Sequence, residues 1–510
     1  MDLIDQNKRE VGALFTSIMV IAVCGLLYEL LVGSISSYLL GNSIYQFSIT
    51  IGLFMTAMGL GSYLSKRFRG DLLTQFMVVE IAIGLVGGTS AAALFAIFST
   101  LKEVYKLVMV MIIVTVGTLI GLEIPLVARI AKRYGTLKDT LANVLSFDYL
   151  GALVASVAFP LVLLPNFGLL KTAFLTGLFN LAVVALNLQV FWRTLRTRWH
   201  LALAAASSAG LLLAGFFYSL QITSLFEHHL YQDEILYTQQ TPYQRIVITK
   251  WKDDLRLFLD GNLQFSSTDE YRYHESLVHP ALSLARSREG ILVLGGGDGL
   301  IAREVLKYPD VRSITLVDID REMTSLSARY PLLAELNRGS LRDHRVKIVN
   351  QDAYKYLEET SGLYQAIIID LPDPRNENLA KLYSREFYGL AARHLAAGGM
   401  LATQAASPYF VRKAYWSVVH TLRDVGLYVK PYHVYVPSFG DWGFALASNV
   451  EPDVENVRIA VPVRFLSSSV LNGMFSFDAD TAEVPVAVNT LNESPLLWYY
   501  LEGWAKWHPR

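Results

Sequence analysis

The chain has 510 residues, 53% of them hydrophobic and only 17% charged, and its 44 basic and 45 acidic residues nearly cancel. That balance excludes the basic footprint of a nucleic-acid binder, and a single cysteine, Cys24, excludes a disulfide framework or a thiolate metal cluster. A mean hydropathy of +0.34 averages two materials: residues 1–223 hold 15 Lys/Arg and 10 Asp/Glu, and the remainder 29 and 35, a mildly acidic half suited to a small cationic substrate.

In the first half, apolar runs of spanning length occupy 11–39, 44–64, 72–98, 104–130, 141–164, 168–192 and 201–222. About seven transmembrane helices are expected, since ~20 apolar residues cross a hydrocarbon core. The first run, behind Lys8 and Arg9, is too long for a signal peptide and lacks a small-residue cleavage pattern, so it is read as retained. Lys8, Arg9, Lys66, Arg67, Arg69, Arg129, Lys132, Arg133, Lys138, Arg193, Arg196 and Arg198 fall on one side of the expected bundle, and Lys102, Lys106 and Lys171 on the other. The positive-inside rule makes the first side cytoplasmic, and the whole reads as a multi-pass membrane protein, in contact with the lipid bilayer. An odd number of spans then places the second half outside, against the cytosolic origin of the nucleoside donor inferred below, so its face stays open. Glu29, Glu80, Glu123 and Asp148 lie within spans, where ionisable groups are expensive. A carboxylate layer that binds or passes an amine is one reading. Hydrogen bonds to Ser, Asn and Tyr of neighbouring helices, fixing the bundle, are the other.

The second half begins with alternating, β-branched and aromatic stretches at 237–250 and 255–259, a turn at Asp260-Gly261-Asn262 and a continuation through Leu263-Gln264-Phe265. These predict a small antiparallel sheet, followed by a helix over 269–284. From Ile291 the pattern changes to apolar strands at 291–294, 314–317, 346–349, 366–369 and 400–404, alternating with amphipathic helices. That rhythm predicts a Rossmann-like α/β domain of the methyltransferase type. The expected organisation is therefore multi-domain: an all-α membrane bundle (1–223), a small β domain with its connecting helix (224–285), the α/β domain (286–450) and a C-terminal extension (451–510).

The first of these strands runs into Gly295-Gly296-Gly297-Asp298-Gly299. Glycines there let a ligand approach the backbone, while Asp298 would repel a pyrophosphate and attract a cation. Asp318 ends the second strand, Asp352 follows the third, and Asp370 and Asp373 follow the fourth. Any one of these could be a helix cap, but five in register around one crevice predict a site at the carboxyl ends of the strands.

Tyr243-Gln244-Arg245-Ile246, Leu259 to Gln264, Asp269 to Glu275, the Gly295–Gly299 turn, Asp318, Gln351-Asp352-Ala353 and Asp370-Leu371-Pro372-Asp373-Pro374 together resemble the spermidine synthase (polyamine aminopropyltransferase) family over about 236–448. Tyr28-Glu29 and Phe147-Asp148-Tyr149-Leu150-Gly151 are similar to the membrane domain fused to some bacterial members. The resemblance implies transfer of the aminopropyl group of decarboxylated S-adenosylmethionine to an amine, putrescine by default, with release of methylthioadenosine and no metal or redox cofactor. It implies Asp370 as the catalytic base. It also implies donor contacts from Gln244, Asp298, Asp318, Asp352, Ala353 and His274, and acceptor contacts from Tyr273, Gln264 and Asp373. The partners implied are small amines and nucleosides, with no nucleic acid and with room for a homo-oligomer.

Departures from the family pattern gather on the acceptor side. Leu371-Pro372 replaces a serine pair, and a tyrosine-bearing loop is shortened to Pro437 through Gly443, where Asp441 and Trp442 could offer a charge and an aromatic face to an ammonium. Tyr383 with Glu386-Phe387-Tyr388 reads either as a flap closing the site or as an amphipathic helix packing its aromatics. His228-His229 reads as an interfacial pair rather than a metal site. The last sixty residues carry no catalytic pattern, and docking on the membrane domain is the expectation for them. Two competing functions remain at this level: a methyltransferase using intact S-adenosylmethionine, for which Asp298 has the wrong sign, and a polyamine sensor or transporter with a binding-only domain.

Overall fold

The structure, a computed structural model, describes residues 2–40, 43–132, 137–219, 221–223, 231 and 233–507. His228 and His229 lie outside the described residues. The chain divides into two compact units, Met1–Asp233 and Glu234–Arg510, a boundary some ten residues beyond the composition change.

The first unit is helical. Its helices are α1 (Asp2–Leu40), α2 (Ser43–Leu64), α3 (Leu72–Thr100), α4 (Tyr105–Ala131), α5 (Leu137–Ala158), α6 (Leu164–Phe191) and α7 (Arg198–Phe217). Six continuous apolar stretches are long enough to cross a bilayer, one of them Ala142–Phe191 at 50 residues. At ~1.5 Å per residue that stretch would run roughly 75 Å, far beyond a ~30 Å core. It is broken at Gly168, inside α6, whose φ of +68° and ψ of −176° leave the helical region, so it comprises two helical pieces that meet at that residue. Arg129 at the end of α4 donates to the carbonyls of Ser65 (3.1 Å) and Phe68 (2.9 Å), and Thr74 meets Thr197 at 3.3 Å. The basic connections after α2 and α6 and the end of α4 therefore share one end of the bundle.

The four acids of the apolar helices have different surroundings. Glu80 accepts from Asn180 Nδ2 (2.8 Å), Asn180 accepts from the Tyr28 hydroxyl (3.0 Å), and Glu80 and Glu123 hydrogen-bond to each other. Glu29, Glu123 and Asp148 line a cavity of about 410 Å³ with Ser62 and Pro125.

The second unit opens with an antiparallel sheet in the order β1 (Glu234–Gln240), β2 (Arg245–Trp251), β3 (Asp254–Leu259), β4 (Asn262–Ser266). The stretch read as one alternating run is thus two strands. Asp260 and Gly261 both have positive φ, +49° and +76°, the two-residue hairpin that an Asp-Gly pair favours. Helix α8 (Glu270–Leu284) follows.

The larger sheet holds β5 (Gly290–Gly295), β6 (Ser313–Val317), β7 (Val346–Val349), β8 (Tyr364–Asp370), β9 (Leu395–Gln404), β10 (Tyr428–Val436) and β11 (Gly440–Ser448), in the spatial order β10-β11-β9-β8-β5-β6-β7. Strands β5 to β9 are parallel, and β11 runs antiparallel between β9 and β10. Ile291 to Leu294 are fully buried, as expected of a parallel strand covered on both faces. Ile291 and Val293 enter one core, Leu292 and Leu294 the other. Because the hairpin turn lies at 437–439, Asp441, Trp442 and Gly443 stand on β11 and not in a loop.

The C-terminal extension docks on this α/β unit. Glu275 of α8, fully buried, accepts the backbone N–H groups of Arg464 (2.7 Å), Phe465 (2.9 Å) and Leu466 (3.3 Å). Asn489 donates to the carbonyl of Ala380 (2.9 Å), and Leu491 N donates to Glu386. Removing the buried Glu275 carboxylate leaves three backbone donors without their acceptor, that of Leu466 buried and the other two partly so, and Glu275→Ala is expected to cost roughly 2 kcal/mol, read as a loss of several degrees in thermal unfolding of the detergent-purified chain.

Candidate active site

The glycine turn after β5 is wedged between the ends of two neighbouring strands. Gly295 is paired in register with Asp370 on β8. It has φ +87°, and a β-carbon there would stand 1.9 Å from the Asp370 carbonyl oxygen. One on Gly297 would stand 2.5 Å from Asp318 Oδ2. Only glycine permits this approach, and it gathers Asp298, Asp318 and Asp370 at one edge of the sheet. Asp318 accepts from Gly297 N (3.1 Å) and Asp320 N (2.8 Å), and Asp298 accepts from Leu300 N (2.8 Å).

Asp370, at the end of β8, accepts from the Tyr273 hydroxyl of α8 at 2.6 Å. Asp373, only 6% exposed, accepts from Gln404 Nε2 (3.3 Å) and from the Tyr500 hydroxyl (2.9 Å). The two residues between these carboxylates are held by their backbone. Tyr383 donates to the Leu371 (2.9 Å) and Pro372 (3.1 Å) carbonyls, and Gln404 donates to Leu371 O (2.7 Å) and to the Tyr383 oxygen. Tyr383 thus props the inter-aspartate segment from below. Phe387 and Tyr388 are fully buried in the core, which favours the packing helix over the flap.

Crowding sets the electrostatics. Burial pushes Asp370 up to about 6, with the Asp298 charge adding to the rise and His274 and the Tyr273 hydrogen bond opposing it. Burial also raises Asp318 to about 6, and Asp298 and Asp373 move in the same direction for the same first cause. Facing them is His274. Burial pulls its pKa down, but the Glu270 hydrogen bond and charge outweigh that and raise it. Glu270 meets His274 Nδ1 at 2.8 Å and takes both terminal nitrogens of Arg303 at 2.8 Å. Held this way, His274 interacts with the Asp298 and Asp370 charges, and its protonated form is favoured by them.

Other expected residues are placed less directly. Gln244 donates to Asp320 Oδ2 (2.9 Å), beside Asp318 in sequence but through a different carboxylate. Asp352 caps the helix 353–359 by accepting from Tyr354 N (2.8 Å) and pairs with Lys381 (3.1 Å). Burial opposes ionisation there, but these partners lower its pKa overall. Ala353 is the buried first residue of that helix. Gln264 donates to its own strand at Asn262 O (3.1 Å), and no described hydrogen bond joins it to the aspartate cluster. Asp441 is engaged by His433 Nδ1 at 2.6 Å, so it is not a free charge for an ammonium, contrary to the loop reading. Trp442 does reach the site: its ring lies 6.4 Å from Tyr273 and 5.1 Å from Phe439, and its buried Nε1 has no partner among the described residues. Asp269, at the start of α8, accepts from Ser438 N (2.6 Å) and its hydroxyl (2.9 Å), pinning the hairpin turn that carries Phe439.

Sequence reading missed Asp320, Glu270, Arg303, Gln404 and Tyr500. Asp320 had a signal, standing two residues after Asp318. Glu270 and Arg303 are 33 positions apart and Tyr500 and Asp373 are 127 apart, so only the fold joins them.

The family model of the spermine/spermidine synthase domain matches residues 270–456. Polyamine aminopropyltransferase 1 of Ralstonia nicotianae is 46% identical over 99% of this chain and 98% of its own length. The polyamine aminopropyltransferase of Leptospira interrogans is 43% identical over 96% and 98%. Among solved structures, the spermidine synthase of Thermotoga maritima aligns with a TM-score of 0.44 at 25% identity, covering 48% of this chain and 85% of its own.

The raised carboxylates carry a cost to stability. With a folded pKa near 6 against 3.8, Asp370 binds more protons folded than unfolded between those values, so stability falls as pH rises through 6. Asp370→Asn removes a penalty of about 3 kcal/mol at pH 8. Its thermal midpoint is expected to exceed that of the unaltered chain by a few degrees at pH 8, with the gap shrinking as pH falls toward 4.

Proposed function

The chain belongs to the spermidine synthase family of polyamine aminopropyltransferases, and we propose that its default acceptor is putrescine, with Asp370 as the base and Asp373 as the anchor of the acceptor's far ammonium. The reaction moves an aminopropyl group from decarboxylated S-adenosylmethionine, a co-substrate rather than a resident cofactor, and requires no metal. An amine lone pair attacks the methylene carbon beside the sulfonium and a C–N bond forms. The C–S bond breaks with its electrons on sulfur, methylthioadenosine leaves, and the new secondary ammonium gives up a proton.

The attacking amine must be neutral, whereas free alkylamines are protonated near neutral pH. A carboxylate with a pKa near 6 beside it is suited to take the proton. The single observation that carries this reading is the clustering of Asp298, Asp318 and Asp370 around the glycine turn, with Asp373 three residues further on. Cationic substrates offset that charge. Asp298 is assigned to the donor's amino group, Asp318 with Gln244 to the ribose and Asp352 with Ala353 to the adenine. His274 lines the donor side, and Tyr273 and Gln264 the acceptor side. Tyr273 directs a hydrogen bond to Asp370 and fixes its orientation. Incubation with decarboxylated donor and a panel of amines is expected to release methylthioadenosine most readily with a diamine. Asp370→Asn should lower kcat at least a hundredfold; turnover within tenfold of the unaltered chain would refute the base assignment.

The helical unit is read as a membrane anchor of the bacterial inner membrane. What supports this is six long apolar helical stretches among the described residues, with basic residues collected at one end. Cysteines replacing Arg69 and Lys102, in a Cys24→Ser background, are expected to react from opposite sides of the membrane, Arg69→Cys only after permeabilisation. Reaction of both from one side would overturn the reading.

A further inference from the structure

The match to the family model ends at residue 456, yet the acceptor side of the site is completed from beyond it. The helix Pro495–Ala505 packs along the helix Arg412–Asp424. Gly503 makes this docking close: a β-carbon there would stand 2.7 Å from Val411 Cγ1 and 3.0 Å from the Phe410 carbonyl. Trp504 stacks on Phe410 at 5.2 Å and 18°, and Leu496 and Leu497 are buried. The docked helix presents Tyr500, 6% exposed, to Asp373 Oδ2 at 2.9 Å.

Asp373 needs such a donor. It is buried, the Arg375 charge nearby favours its ionised form, and its other described side-chain hydrogen bond, from Gln404, is a longer 3.3 Å and shared with Leu371 O and Tyr383. A buried carboxylate without hydrogen bonds tends to take a proton and lose its hold on a cation. Burial raises the Tyr500 phenol itself, so it stays protonated and can only donate toward the carboxylate. Phe439, on the hairpin turn beside Tyr273, brings no hydroxyl to substitute for it.

We infer that Tyr500 is a positioning residue of the acceptor site: it orients Asp373 as an ionised anchor, so the C-terminal extension sets the affinity for the acceptor amine. This rests on the assignment of Asp373 to the acceptor's ammonium. Tyr500→Phe removes one oxygen and keeps the ring. It is expected to weaken calorimetric binding of putrescine to the methylthioadenosine-loaded chain by roughly tenfold or more, and to raise the acceptor KM by a similar factor. The donor KM and the kcat at saturating amine should change less than threefold. Gly503→Val, which must lift the helix from Val411, should reproduce that acceptor-selective loss without touching Tyr500. Unchanged putrescine affinity in Tyr500→Phe, or equal losses for donor and acceptor, would overturn the inference. If the unaltered chain binds putrescine but releases no methylthioadenosine with any amine, the aminopropyl-transfer reading fails, while the binding comparison still decides the role of Tyr500.

Discussion

Negative charge held at the ends of parallel strands, with too few fixed cations to cancel it, is the constraint around which the second unit is organised. Three aspartates converge near one glycine turn with a fourth, Asp373, three residues beyond Asp370, and burial raises all four. Such a cluster is stable only if the surrounding structure tolerates the unfavourable solvation. The fold meets this with hydrogen bonds to backbone and phenols, and with one histidine held by Glu270, which Arg303 holds in turn. The remaining deficit of positive charge is what substrates carrying ammonium and sulfonium groups can supply.

A related economy of polar groups operates in the helical unit. Glu80 is buried among apolar helices, and Asn180 with Tyr28 behind it supplies the donors that apolar neighbours cannot. The bundle is thereby tied across α1, α3 and α6 by side chains at 28, 80 and 180. Glu29 and Asp148 stand instead beside a cavity.

Much of this was legible from residues alone because local rules governed it. The period of the apolar strands marked β5 to β8 within a residue or two at most ends, and Asp260-Gly261 marked its hairpin because few other pairs accept two positive φ values. The aspartates at the strand ends were visible because parallel strands deliver their carboxyl ends to one edge. Hairpin β10–β11 was not, although Tyr432, Val434 and Val436 alternate into the core. A stretch read as a shortened loop hid a strand, and Asp441 went to His433. Asp352 was legible as an acid in the right place, but its ion pair with Lys381 came from a helix whose packing the sequence does not announce. Tyr500 lay further out of reach, since an aromatic run near a C-terminus looks the same whether it meets lipid or a carboxylate.

The clasp of Glu275 on residues 464–466 separates two notions of a domain boundary. Similarity to the family model stops at 456, but a fragment cut there would bury a carboxylate whose three amide partners had been discarded, beneath a sheet that had also lost its cover of Phe465, Leu466 and Leu471. The unit that keeps this clasp is therefore longer than the stretch the family model matches, and a plan to express it without the helical unit should run from 234 to the C-terminus rather than stop at 456.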